Sequence, residues 1–94
     1  MTITDEQLLE AVKLRLAITG NFHDALLSGY IKDTKDYLQR AGVSPDTLSD
    51  DKCIGVVARG ASDLWNFGSG DGKFSVLFMN MATQLILSEE GENG

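Results

Sequence analysis

From Phe74 to Ser88 the chain runs fifteen residues without a charge. At about 100° per residue, Phe74, Leu77, Phe78, Met81, Ala82 and Leu85 fill one face of a helix. Val76, Met79, Ile86 and Leu87 point roughly the opposite way, mixed with Asn80 and Thr83. A helix apolar on nearly every side must be buried on nearly every side. The stretch is too short to span a membrane, and Asn80, Thr83 and Gln84 make it too polar. The whole chain has 94 residues, which is room for one domain. A domain this small has little material to wrap such a helix completely. Either the other helices surround it, or its second face meets another protein chain.

The rest of the composition agrees with a helical fold. Leucine outnumbers valine and isoleucine combined, Pro45 is the one proline, and no run of five residues alternates cleanly between apolar and polar. Eight basic residues stand against fourteen acidic ones, for a formal charge of -6. Such a surface has no broad electrostatic grip on nucleic acid or anionic lipid. Cys53 is the only cysteine, which excludes an internal disulfide and a four-cysteine zinc site and suits a reducing compartment. The start, Met1 to Glu6, lacks the basic and then apolar pattern of a signal peptide, so a cytoplasmic location is expected.

Four helical segments are predicted, with residues 1–88 as a single domain and 89–94 as a short, acidic, flexible end. The first is capped by Thr4, with Gln7 completing a capping box. Its stripe is Leu8, Leu9, Val12 and Leu16, and Gly20 is expected to end it. Asn21 is the expected cap of the second, whose apolar positions are Leu26, Leu27, Tyr30, Ile31, Tyr37, Leu38 and Ala41. Gly42 suits the left-handed residue that closes a helix. Ser44-Pro45-Asp46 reads as a turn or a single helical turn. Ser49 or Asp50 caps the third helix, which carries Ile54, Val57, Ala58, Ala61, Leu64 and Trp65. Gly55 and Gly60 each weaken it by about 1 kcal/mol relative to alanine. Asn66 to Lys73 is a glycine-rich loop. The fourth helix runs from Phe74 or Ser75 to Leu87. One core should hold Leu9, Val12, Leu27, Tyr30, Ile31, Leu38, Val57, Ala61, Leu64, Phe78 and Leu85.

No catalytic pattern emerges. A phosphate-binding Walker loop needs glycine five places before Gly72-Lys73 and serine or threonine after, but Phe67 and Phe74 stand there. Gly68, Gly70 and Gly72 also lack dinucleotide spacing and a leading strand. His23 is the only histidine and reads as an exposed residue of a first helical turn. Cys53 reads as a small apolar residue of the third helix. Asp46, Asp50 and Asp51 lack the calcium-loop pattern and read as caps. Ser62-Asp63-Leu64 reverses the Asp-Ser-Leu order that carries the prosthetic group of an acyl-carrier protein, and it lies deep in a helix. The third helix is too acidic for a DNA-recognition helix. No metal, nucleotide or other cofactor is expected.

With these pieces placed, the chain resembles the small helical head–tail connector (adaptor) proteins of tailed bacteriophages. The resemblance rests on Leu8-Leu9-Glu10-Ala11-Val12-Lys13 and on Asp24-Ala25-Leu26-Leu27 through Tyr30-Ile31 to Tyr37-Leu38. It continues through Ala61-Ser62-Asp63-Leu64-Trp65, the glycine loop, and Phe74-Ser75 leading to Gln84-Leu85. It implies an all-α structural virion protein without enzymatic activity. It also implies a ring of twelve or thirteen copies beneath the portal, which extends the DNA channel and carries the next head-completion or tail protein. The partners implied are the chain itself, the portal protein, that next component, and DNA passing without sequence-specific binding. The expected location is the host cytoplasm during assembly and then the head–tail junction of the virion. Val76, Met79, Ile86 and Leu87 are the candidate subunit or portal contacts. Phe67, Gly68, Ser69, Gly70, Asp71, Gly72 and Lys73 form a candidate interface loop. The alternative is a small dimeric regulatory or antitoxin-like binding protein.

Overall fold

The computed structural model describes residues 3–67 and 74–93, with side chains in the last helix as far as Ser88. Five helices follow one another, α1 (Asp5–Leu16), α2 (Asp24–Arg40), α3 (Pro45–Leu48), α4 (Ile54–Phe67) and α5 (Val76–Asn93). A 3-10 turn, Asp51–Cys53, leads into α4. No strand occurs among the described residues, and the all-α class is as expected.

Helix α1 starts as the capping box predicts. Thr4 Oγ1 accepts from Gln7 N–H at 3.1 Å, and Gln7 Oε1 accepts from Thr4 N–H at 2.8 Å. Its end differs from the expectation. The helix stops at Leu16, not at Gly20, because Ala17 turns left-handed at φ 57°. Ile18 N–H then donates to Lys13 C=O at 2.9 Å and Ala17 N–H to Leu14 C=O at 3.3 Å. The same closure ends α2, where Gly42 at φ 115° lets Val43 N–H reach Leu38 C=O at 2.9 Å. Glycine adopts this conformation without strain, whereas alanine pays a Cβ penalty. Ala17→Gly should therefore raise stability by up to about 1 kcal/mol, read as a higher denaturation midpoint. A lower midpoint would mean that the unfolded chain's added entropy outweighs the relieved strain.

Helix α2 begins at Asp24, with His23 in the cap position making no side-chain cap. Asn21, the expected cap, instead offers its carbonyl to Asp24 N–H at 3.2 Å. Leu27, Ile31, Thr34 and Leu38 form its buried stripe, while Leu26 and Ala41 are exposed. Lys13 of α1 pairs with Asp24 at 2.9 Å and Lys35 pairs with Asp5 at 2.9 Å, which sets α1 antiparallel to α2. Ser44 caps α3 through Thr47 N–H, with Pro45 in the first turn. Cys53 lies in the 3-10 turn before α4 rather than within the third long helix, and its thiol donates to Thr47 C=O at 2.9 Å.

The central helix is α4, and α1, α2 and α5 all pack on it. Val56, Val57, Ala58, Gly60, Ala61, Ser62, Asp63 and Leu64 are all buried, so nearly every side of its middle is covered. The core cluster joins Val56, Val57, Ala58 and Ala61 to Ile3, Leu8, Val12, Leu27, Ile31, Leu38, Val43, Leu48, Cys53, Phe78 and Ala82. Leu9, Tyr30 and Leu85, expected inside, pack on this core half-buried. The last helix is thus peripheral. It also continues to Asn93, past Leu87, because Glu89 and Glu90 are good helix formers and no breaker precedes Gly91.

Candidate functional site

Two devices seat α5 on α4. The first is polar. Ser75 caps α5, its hydroxyl oxygen accepting from Phe78 N–H at 3.1 Å. Asp63, almost wholly buried on α4, accepts both Ser75 Oγ–H at 2.7 Å and Ser75 N–H at 2.9 Å. A carboxylate there also meets the positive end of the α5 dipole. Arg59 Nε lies 3.4 Å from Asp63 Oδ1, a charge contact without a hydrogen bond. The second device is steric. Phe78 is fully buried over Gly60, where an added Cβ would stand 2.7 Å from the Phe78 ring and closer still to the Thr34 methyl. Phe78 stacks on Phe74, with centroids 4.3 Å apart, and Tyr37 of α2 leans on both rings.

Gly60 therefore serves close packing. Gly60→Ala should destabilise the fold by roughly 1–3 kcal/mol, outweighing the gain of about 1 kcal/mol in helix propensity. Urea unfolding of the variant checks the sign. A net gain would show that Thr34 and Phe78 yield without cost.

The outward side of α5 stays apolar and open. Val76 is 77% exposed, Leu87 53%, Leu77 52% and Met79 41%. Leu77 was expected to face the core; the Ser75 cap instead turns Phe78 and Ala82 inward and leaves Leu77 outside. Ile86, expected on the outer face, is half-buried against the core. Met79 is not wholly outward either, for its thioether sulfur accepts from Tyr37 O–H at 3.3 Å. Phe67, at the end of α4, is exposed, while Gly68, Ser69, Gly70, Asp71, Gly72 and Lys73 lie outside the described residues. A shallow apolar groove between α4 and the far half of α5 is lined by Val56, Met81 and Leu85, with Lys52, Gln84 and Ser88 at its edges.

A second apolar area went unread in the sequence. Leu14 is 84% exposed, Phe22 89% and Leu26 49%. All three sit at the connected end of the α1–α2 pair, which the Lys13–Asp24 ion pair holds together. The Phe22 ring meets His23 edge-on at 4.9 Å, and His23 meets Trp65 of α4 edge-on at 5.0 Å. His23 is thus half-buried between two aromatics, not an exposed first-turn residue. The signal was available, since a phenylalanine in Gly20-Asn21-Phe22-His23 has no apolar periodicity to place it in a core.

The other chemical candidates resolve into structural roles. Ser62 is buried and donates to Ala58 C=O at 2.8 Å, out of reach of any prosthetic-group transfer. Asp50 caps the 3-10 turn by accepting Lys52 N–H at 3.0 Å, and this bond holds its carboxyl below the ordinary range. The cap's contribution is present above the unfolded carboxylate range and is lost as pH falls through the lower, folded value. Among the described residues no three His, Cys, Asp or Glu side chains gather as a metal site, and no helix is long and apolar enough to cross a membrane.

A peripheral helix with an exposed apolar face thus lies on a small helical bundle. Residues 6–48, from the first turn of α1 to the end of α3, match the family model described as phage gp6-like head-tail connector protein. This segment, a little under half of the chain, supports the head–tail connector family, a structural and non-enzymatic class of phage protein. No curated protein and no solved structure matches the chain.

Proposed function

We infer that the protein is a ring-forming connector that sits beneath the portal of a filled phage head and joins it to the next connector or tail component. The observation that carries this reading is the open apolar face of α5, with Val76, Leu77, Met79 and Leu87 exposed on a helix that bears no charge before Glu89. Water-exposed apolar area of this kind is stabilised by covering it with another chain. The family match supports a structural role between head and tail. Side-by-side packing of copies through α5 would then build the ring, of twelve or thirteen subunits as the resemblance implies. The net charge of -6 fits a channel wall along which DNA slides without sticking.

The test is electron microscopy of the protein incubated with purified portal or with DNA-filled heads. A ring of density added below the portal is the expected result. Particles that stay bare at saturating protein would overturn the reading. A stable, discrete dimer that ignores both heads and portal would favour a regulatory binding protein instead.

A further inference from the structure

We propose that Arg59 is a reserve partner for Asp63, which lets α5 lift from its seat and return while the rest of the bundle stays folded. The device belongs to the subunit itself and does not depend on the connector reading. Its first element is an unmade bond. Arg59 Nε is buried and has no hydrogen-bond partner, although Asp63 Oδ1 lies 3.4 Å away. A buried donor left unmade is costly, so such an atom calls for a reason. Both Ser75 bonds fall on the other carboxylate oxygen, Oδ2. While Ser75 holds the carboxylate there, Oδ1 stays out of hydrogen-bond geometry with Nε. Asp63 thus has two claimants. Ser75 of α5 holds it, and Arg59, one turn earlier on α4, stands beside it.

The second element is how lightly α5 is held. Phe78 is the one large side chain of α5 that is fully buried among the described residues, while Val76, Leu77, Met79 and Leu87 stay exposed. Helix α4, by contrast, is buried from Val56 to Leu64 apart from Arg59. Helices α1 and α2 are tied to each other by the Lys13–Asp24 and Lys35–Asp5 pairs. An element with few buried apolar contacts opens locally before the whole fold does. When α5 lifts, Asp63 loses both Ser75 donors. A small turn of the Arg59 side chain, which is partly exposed, then replaces the bare charge contact with a charge-assisted hydrogen bond. That bond satisfies Nε and the carboxylate together. It forms in the lifted state, where Ser75 no longer competes, so Arg59 favours release over seating.

Amide hydrogen exchange of the full chain, read residue by residue by NMR, tests both elements. In the wild type, α5 amides from Met79 to Leu87 should exchange severalfold faster than α4 amides from Ala58 to Leu64. Arg59→Met keeps an apolar stem and removes Nε–H. Its α5 exchange should slow severalfold while α4 exchange stays the same. Ser75→Ala removes the competing hydroxyl and leaves α4 untouched. Its α5 exchange should rise, and the Arg59 Hε signal, identified by its absence from Arg59→Met, should move downfield and exchange more slowly with water. Helices α4 and α5 exchanging together would overturn independent lifting. Faster or unchanged α5 exchange in Arg59→Met would overturn the reserve role of Arg59. So would an Arg59 Hε signal that is the same in Ser75→Ala as in the wild type. The two variants answer separately, so if one fails to fold the other still decides.

Discussion

Val76→Asp should give a chain that folds normally and no longer completes heads. Val76 is the first residue of α5 and is 77% exposed, so the substitution removes no core contact. An aspartate in the first turn also complements the helix dipole, which favours the folded monomer by a few tenths of a kcal/mol. In an assembled interface the same carboxylate would be desolvated without a partner, at a cost of several kcal/mol per contact. A ring repeats that loss at every subunit. Circular dichroism and a head-joining assay on the same preparation check the two halves of the expectation. Normal head completion by a folded Val76→Asp chain would remove α5 from the interface. Met79 is a poorer site for this test, because its sulfur accepts the Tyr37 hydroxyl and a loss there would mix packing with assembly.

Phe78→Ala should cost about 3–5 kcal/mol, as for other buried aromatics. Phe78 is fully buried, stacks on Phe74, and sits over the one position on α4 where a glycine makes room for it. No other fully buried large side chain belongs to α5 among the described residues. A domain of this size has only about 5–15 kcal/mol in total, so the variant should be close to losing α5 altogether. Leu77→Ala, one residue earlier and half exposed, should change stability by less than about 0.5 kcal/mol. Guanidinium unfolding of the pair gives the contrast. Equal effects at the two positions would mean that α5 is not seated as described.

That contrast also shows where the sequence was legible. Periodicity placed the helices and most of the core, because leucines and valines at helical spacing can hardly be read otherwise. Gly42 announced its turn, since glycine is the residue that takes φ above zero freely. Ala17 gives no such notice, so the sequence alone extends α1 to Gly20. The centre of the fold was harder. An apolar stripe on α4 was visible, but its full burial includes Gly60, Ser62 and Asp63, none of which counts as apolar. The role of Asp63 depends on Ser75, twelve positions later and beyond a glycine-rich stretch, and no local rule links them. The rotation of α5 followed from the same bond. Without the Ser75 cap fixing the first turn, a helix apolar all round offers no reason to bury Phe78 rather than Leu77. At the candidate site, the surplus apolar face of α5 is legible in the sequence but Phe22 is not, because an isolated aromatic in a turn belongs to no stripe.

The clasp between Asp63 and Ser75 has a consequence for how this chain can vary. It fixes both banks of the segment between Phe67 and Phe74, so the seat of α5 does not depend on what spans them. Doubling the number of residues that join two fixed ends costs only about 0.6 kcal/mol in closure entropy. A tag, an epitope or a longer natural insertion spliced there would leave the bundle standing. The junction is thus a place where descendants of one connector could diverge in length while keeping the same scaffold.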